Sequence, residues 1–175
     1  MTKERAKEKR EKQKELRNEL KSIKMENELN PLYDKEEKEN GVDFVKMPAT
    51  IFEYLSLQEY GFNADSIIIY QLIINWYNRN EGAAYPSQYA MARVLKKSVP
   101  TVKKHIALLE EVGLIEIGRR GLGRTNLYKP LRPLERLALL DRYPRASKFD
   151  IEFSQHIEEY KTKDMQRVKK DVAAS

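Results

Sequence analysis

The sequence contains no cysteine and only two histidines, His105 and His156. Disulfides, thiolate zinc sites and a cysteine nucleophile are thereby excluded, and imidazole chemistry has little to draw on. No run approaches the roughly 18 consecutive apolar residues that a membrane span needs. Residues 1–14 mix charges without the apolar centre of a secretion signal, so the expected location is cytoplasmic. Asp43, Glu53, Glu59 and Asp65 are scattered without metal-ligand spacing, and Ser87 and Ser98 have no base near them in sequence. No cofactor, no metal and no catalytic residue is expected, and an enzyme is the remotest reading.

Charge, in contrast, is plentiful. It makes up 34% of the 175 residues and sums to +6. Residues 81–145 hold 13 basic and 6 acidic side chains, whereas residues 1–40 hold 12 and 11, 41–80 hold 2 and 4, and 146–175 hold 6 and 6. The whole excess therefore sits in one block. Charge meant only for solubility would be spread more evenly, so this block reads as a local footprint for a polyanion. The length suits one domain with appendages.

Residues 1–40 form a charged arm and linker. Short acidic and basic runs without glycine or proline before Pro31 predict an exposed helix. Leu16, Leu20 and Ile23 follow coiled-coil spacing, but Asn27 and Asn30 occupy the next two seam positions, so the stripe covers barely one heptad. Such an arm is either solvated or ordered against a partner. Pro31 and Asn40–Gly41 mark loop chemistry, and a folded domain is expected over 42–130.

Within that domain, Ile51, Phe52 and Leu55 suggest a short helix with Pro48 in its first turn. Asn63 or Asp65 caps a longer one, whose dense apolar run from Ile67 through Leu72, Ile73, Ile74, Trp76 and Tyr77 reads as the centre of the core. Ser87 caps a third helix carrying Tyr89, Met91, Ala92 and Leu95. After Lys96 and Lys97, Ser98 caps a fourth. There Val99, Val102, Ile106 and Leu109 share one face, while Pro100, Lys103, Lys104, Ala107 and Glu111 point away. Gly113 stops this helix. Leu114–Gly118 alternates as a strand with Ile115 and Ile117 on one side, and Thr125–Tyr128 returns beside it. Between them lies a tip with Arg119, Arg120 and Arg124 among glycines. Pro130 and Pro133 end the sheet. Residues 131–175 add a leucine-rich helix over Leu134–Leu140, a break at Pro144 and an amphipathic helix with Phe153, Ile157 and Tyr160 on one face. The fold class is mainly α with a small β-hairpin.

Tyr85-Pro86-Ser87, Met91-Ala92, Ser98, Thr101-Val102, Leu109, Gly113-Leu114-Ile115, Asn126 and Tyr128, in this order, resemble the replication-type winged helix-turn-helix family of bacterial plasmids, phages and mobile elements. The likeness covers roughly residues 42–130. It implies that Val99–Val112 is a recognition helix, that 114–128 is the wing, and that the partner is double-stranded DNA. Two departures stand out. Lys96 occupies a turn position that usually holds glycine, and Pro100 removes a side chain that could read a base.

Base edges in the major groove are read by donors and by methyl contacts near the start of the inserted helix. Ser98, Thr101, Lys103 and Lys104 are the recognition-helix candidates. Lys96 and Lys97 of the turn, with Arg119, Arg120, Arg124 and Asn126 of the wing, are candidates for phosphate or minor-groove contact. An ordinary solvated face is the competing reading for the two lysines of the helix, and a charged hairpin tip that resists edge pairing is the competing reading for the wing. The arginine-glycine tip lacks the lysine-serine ending of a nucleotide phosphate loop.

His105, toward the apolar strip, is expected to pack or touch phosphate. The expected function is site-specific binding of double-stranded DNA, as a transcriptional regulator of a mobile element acting by occupancy. The alternatives are a plasmid or phage replication initiator or replisome-recruiting accessory protein, and a protein-interaction module that does not use DNA. A homodimer, or a protein partner on the arm or the C-terminal helices, is a further expectation.

Overall fold

Asn63 starts the helix on which the domain is built. Its carboxamide oxygen accepts from the Asp65 N–H at 2.9 Å, and the Ser66 hydroxyl accepts from the Asn63 N–H at 3.4 Å, a reciprocal capping box,. The computed structural model describes residues 3–26, 45–121 and 124–173, in two compact units, Met1–Asp43 and Phe44–Ser175. In the first unit, helix α1 (Lys3–Glu26) carries the charged arm, with Leu16 exposed. The seam positions Asn27 and Asn30, the side chains of Leu20 and Ile23, the linker 30–41, and Leu122 and Gly123 of the wing tip lie outside the described residues.

The second unit runs through a 3₁₀ helix (Ala49–Tyr60), α2 (Ala64–Asn75), α3 (Gln88–Leu95), α4 (Val99–Glu111), β1 (Ile115–Gly118), β2 (Leu127–Pro130), α5 (Arg136–Arg142) and α6 (Pro144–Ala173). Pro48 stands just before the 3₁₀ helix as its cap, outside the first turn where the sequence suggested it. Three residues per turn line up Ile51, Tyr54 and Leu57, all fully buried,. Phe52, expected on the inner face, falls outside that row and is 57% exposed.

Helix α2 buries Ile67, Ile69, Tyr70 and Ile73. The expectation that Trp76 and Tyr77 complete this core is corrected: the helix stops at Asn75, so the period that would carry Trp76 inward is broken and both rings are partly exposed. The chain then turns to pair Asn78 with Ala83. In α3, capped by the Ser87 hydroxyl on the Ala90 N–H at 3.1 Å, Met91 is buried while Tyr89 is 74% exposed, against its grouping with the apolar residues.

The turn from α3 to α4 uses Lys96 in the left-handed region (φ 56°, ψ 36°), with the Lys97 N–H closing back on the Ala92 carbonyl at 3.3 Å. Ser98 then caps α4, accepting from the Thr101 N–H at 3.3 Å, and Pro100 sits in the first turn, where its missing N–H needs no partner,. Val102, Ile106 and Leu109 are buried and Val99 half-buried, while Pro100, Lys103, Lys104, Ala107 and Glu111 are exposed. At the far end Gly113 (φ +72°) donates to Glu110, and Leu114 donates to Leu109 at 2.8 Å. This pairing, with Leu109 and Leu114 both buried, is a Schellman stop.

The wing is an antiparallel pair in which Ile115 faces Pro130 and Ile117 faces Tyr128. The return strand begins two residues later than the sequence suggested, and Pro130 belongs to the sheet. The bond from Leu131 N–H to the Leu114 carbonyl at 2.8 Å makes the neighbouring Ile115–Pro130 position a non-hydrogen-bonded one, where proline costs no ladder bond. On its other side, Tyr128 exchanges two backbone bonds with Ala84, at 2.8 and 2.9 Å.

The leucine-rich segment has a place in this core after all. Leu139 and Ala146 are fully buried, with Leu134, Leu140 and Tyr143 packed beside them. Only the single residue Tyr143 separates α5 from α6, and Pro144 opens α6. Two tyrosine hydroxyls hold the segment between β2 and α5: Tyr70 donates to the Leu131 carbonyl at 2.6 Å, and Tyr54 accepts from the Leu134 N–H at 3.0 Å. Burial pushes the Tyr70 hydroxyl pKa up to about 12. Arg136 pairs with Glu53 of the 3₁₀ helix and with Asp150 of α6, and Arg145 reaches Glu59 at 3.5 Å.

Lys96 gives the first test. The left-handed conformation costs an L-residue about 1–2 kcal/mol, and glycine gives back about 0.5–1 kcal/mol through unfolded-chain entropy. Lys96→Gly is therefore expected to stabilise the fold by about 0.5–1 kcal/mol, seen as a higher urea midpoint at unchanged slope. A lower midpoint would show that the lysine side chain itself supports the turn.

Candidate nucleic-acid interface

Burying one face of α4 presents the other. Lys103 and Lys104 stand exposed on it, one turn after the cap. Thr101, beside them, is already engaged: its Oγ1 lies 2.8 Å from the Ser98 Oγ. Ser98 and Thr101 thus hold the N-terminus of α4 together, and each retains oxygen lone pairs at the exposed helix start.

The turn lysines separate in role. Lys97 Nζ lies 3.3 Å from Asp65 of α2, an ion pair that ties the turn to the helix beneath. Among the described residues, Lys96, Lys103, Lys104, Arg119 and Arg124 make no ion pair.

In the wing, Arg119, Arg120 and Arg124 are all exposed. The Arg120 guanidinium stacks over the Tyr85 ring, 4.6 Å from its centre, a contact that pins the tip to the segment before α3. Local desolvation together with Glu81 raises the Tyr85 hydroxyl pKa, and Arg120 opposes the rise. Asn126 is half-buried, and with Gln88 it opposes the rise in the Tyr128 hydroxyl pKa that burial causes. Arg124, Thr125 and Asn126 also line a cleft of about 250 Å³ with Pro86, Ser87, Gln88, Tyr89 and Tyr128. The turn residues, the exposed side of α4 and the wing are joined through the α4–β1 stop and the two-stranded sheet.

Three features of the site escaped the sequence. The Tyr85–Arg120 stack and the Asp65–Lys97 pair join positions far apart in the chain, and no local spacing announces them. The third is polar and buried. His105 is only 5% exposed, with Nδ1 2.9 Å from the Ser66 Oγ. It packs, as one of its two expected roles required, and does not reach the surface where a phosphate would lie. The Ser66 hydroxyl and the His105 Nδ1 share one hydrogen bond whose direction follows the imidazole tautomer,. Burial lowers the His105 pKa; Asp65 opposes this, and Lys104 and Lys97 add to it.

These residues make up a winged helix-turn-helix domain, a fold of the DNA-binding class: two capped helices around a tight turn, a buried strip beneath the second, and a basic hairpin beside it. Residues 63–115 match the helix-turn-helix domain family HTH_36, a span from the cap of α2 to the first residue of β1. Among solved structures, the chain is similar to the N-terminal domain of a DNA-binding protein, with 19% identity over 68% of this chain and 96% of that one and a TM-score of 0.42. It is also similar to the protein of a Rep–DNA complex, with 21% identity, 65% and 97% coverage and a TM-score of 0.41. A third similarity is to MepR, a transcription regulator of the Staphylococcus aureus multidrug efflux pump MepA, with 15% identity, 72% and 88% coverage and a TM-score of 0.32. No curated protein matches the sequence. Among the described residues no helix is long and apolar enough to cross a membrane.

The buried histidine makes stability depend on pH. A pKa lowered by folding from its ordinary 6.5 means that the unfolded chain binds more protons in the window between the two values, so stability rises with pH there. The contribution is fully present above 6.5 and is lost as pH falls through the folded value. The urea midpoint is expected to drop between pH 7.5 and about pH 5, and His105→Gln, which keeps a polar partner for Ser66 but does not titrate, is expected to flatten that drop. An equal drop in both proteins would exclude His105 as its source.

Proposed function

We propose that the domain binds double-stranded DNA at specific sites and acts by occupancy, with α4 in the major groove and the wing on the backbone or in the adjacent minor groove. The observation that carries this reading is the group of unpaired cations on α4 and the wing, at Lys103, Lys104, Arg119 and Arg124, together with Lys96 of the turn. Lys103 and Lys104 supply donors to guanine or phosphate, and Ser98 and Thr101 add hydroxyls at the helix start. Arg119, Arg120 and Arg124 supply backbone charge, with Arg120 oriented by Tyr85. Lys97 contributes through position, held by Asp65, and Asn126 lines the cleft beside the wing.

Within this class we read the chain as a transcriptional regulator of a mobile genetic element. The resemblance of Tyr85-Pro86-Ser87 and Gly113-Leu114-Ile115 to replication-type winged helices favours, as the second reading, an initiator or an accessory protein that recruits replication machinery. Two copies on half-sites about one helical turn apart would suit either role.

A salt series tests the binding. On duplexes drawn from the chain's own genetic neighbourhood, selective binding is expected, with a salt slope that falls by roughly 0.9 for each phosphate contact removed. Arg119→Ala with Arg124→Ala should weaken all sequences alike and flatten the slope. Lys103→Ala with Lys104→Ala should narrow the gap between the chosen site and random duplex. Protection of a promoter supports the regulator, and protection of an origin supports the initiator. Affinity indifferent to sequence and to these side chains would overturn the DNA reading in favour of a protein-interaction module.

A further inference from the structure

Helix α6 begins inside the domain and ends far from it. Its first turn buries Ala146 completely and is pinned by Arg145 to Glu59 and by Asp150 to Arg136. From Ile151 onward every described side chain is exposed. A helix of this length with no tertiary contact is marginal in water, because nucleation and chain entropy oppose it. Its face is not one that water would select. Phe153, Ile157 and Tyr160 continue, at spacings of four and three, the stripe that starts with Ala146, and they are 52%, 47% and 54% exposed. Ile157 and Tyr160, with Met165, border a shallow apolar groove flanked by Lys161, Asp164 and Lys169.

The charges on this segment are sorted along its axis. Residues 151–160 carry Glu152, Glu158 and Glu159 and no lysine or arginine. Residues 161–170 carry Lys161, Lys163, Arg167, Lys169 and Lys170 against the single acid Asp164. The sign changes between Tyr160 and Lys161, near the middle of the exposed stretch. A second copy laid parallel would set like charges against like. Laid antiparallel, crossing at Tyr160–Lys161, it sets the acidic half of each helix along the basic half of the other and covers both apolar stripes. Pairs within the helix, Lys161–Glu158 at 3.4 Å and Lys163–Glu159 at 3.8 Å, are exposed and leave these side chains free to turn toward a neighbour.

We propose that the exposed part of α6 is a homodimer interface in which two copies pair antiparallel about Tyr160–Lys161. This surface stands independently of DNA binding: its failure would leave the groove-binding reading in place, and the reverse also holds.

Sedimentation equilibrium of the full chain across micromolar concentrations is the test. A dimer is expected, and the triple variant Phe153→Ser, Ile157→Ser, Tyr160→Ser should be monomeric with an unchanged urea midpoint, since these side chains contribute nothing to the core. Reversing one half, Glu158→Lys with Glu159→Lys, should weaken the dimer at least tenfold, and adding Lys161→Glu with Lys163→Glu should restore it.

Orientation is read by crosslinking, which the absence of native cysteine makes clean. In the antiparallel register position 157 faces position 164 of the second copy, whereas two copies of position 157 stand about 10 Å apart along the axis, beyond disulfide reach. Mixed Ile157→Cys and Asp164→Cys chains should form the unlike disulfide, and Ile157→Cys alone should form none. A monomer at every concentration, a dimer that survives the triple variant, or an Ile157→Cys disulfide with itself would each overturn the proposal.

Discussion

Everything the domain can present to a partner depends on the burial of one side of α4. A 13-residue helix is too short to persist alone in water. Its stability comes from Val102, Ile106 and Leu109 against α2, each contributing roughly 1.5–3 kcal/mol when fully buried. Apolar burial is not directional, so by itself it would let the helix roll. The Ser66–His105 hydrogen bond, in the middle of the same contact, removes that freedom because a buried polar pair out of register would leave both groups without partners. The rotation that satisfies it is the one that holds Lys103 and Lys104 outward.

The same logic extends to the wing. A two-stranded hairpin is marginal in water, and this one is held from outside itself. Tyr128 is buried and bonds to Ala84 on the strand edge away from β1. The Arg120–Tyr85 stack fastens the tip to the same segment. Ala84 to Ser87 therefore does three things within a few residues: it edges the sheet, seats an arginine and caps α3. That economy explains why so short a run carries much of the family resemblance.

What the sequence made legible is what local chemistry decides. The caps at Ser87 and Ser98, the strained Lys96 turn, the Gly113 stop and the outward set on α4 each depend on residues within one or two turns and are found as expected, and of the two candidates for the α2 cap the fold uses Asn63. The errors share the opposite cause. Phe52 was misplaced because 3₁₀ and α periods diverge within two turns, and Trp76 because a helix end cannot be read from an apolar run that continues through it. The shift of β2 and the burial of Leu139 follow from contacts with Ala84, Leu114 and the 3₁₀ helix, distant in sequence. In the candidate site, the engagements of the side chains were not legible: Lys97, Arg120 and Thr101 each have a partner, and only the fold names it.

Those engagements change what the basic block means. Counted along the chain, residues 81–145 are strongly positive, and the count alone suggests a diffuse electropositive surface. In the fold, the block divides by place. Arg136 and Arg145 face Glu53, Glu59 and Asp150 and fasten α5 and α6 to the 3₁₀ helix, Lys97 answers Asp65, and Lys129 lies 3.7 Å from Glu116 across the sheet. The acids of the preceding, net-negative segment are thus drawn largely into holding the domain together. Lys96 of the turn, Lys103 and Lys104 on the outer side of α4, and Arg119 and Arg124 of the wing are left without an ion pair among the described residues. Exposed pairs such as Arg145–Glu59 stabilise the fold little,, yet by neutralising charge away from this surface they sharpen the field on it, which is what steering a polyanion to a single face requires.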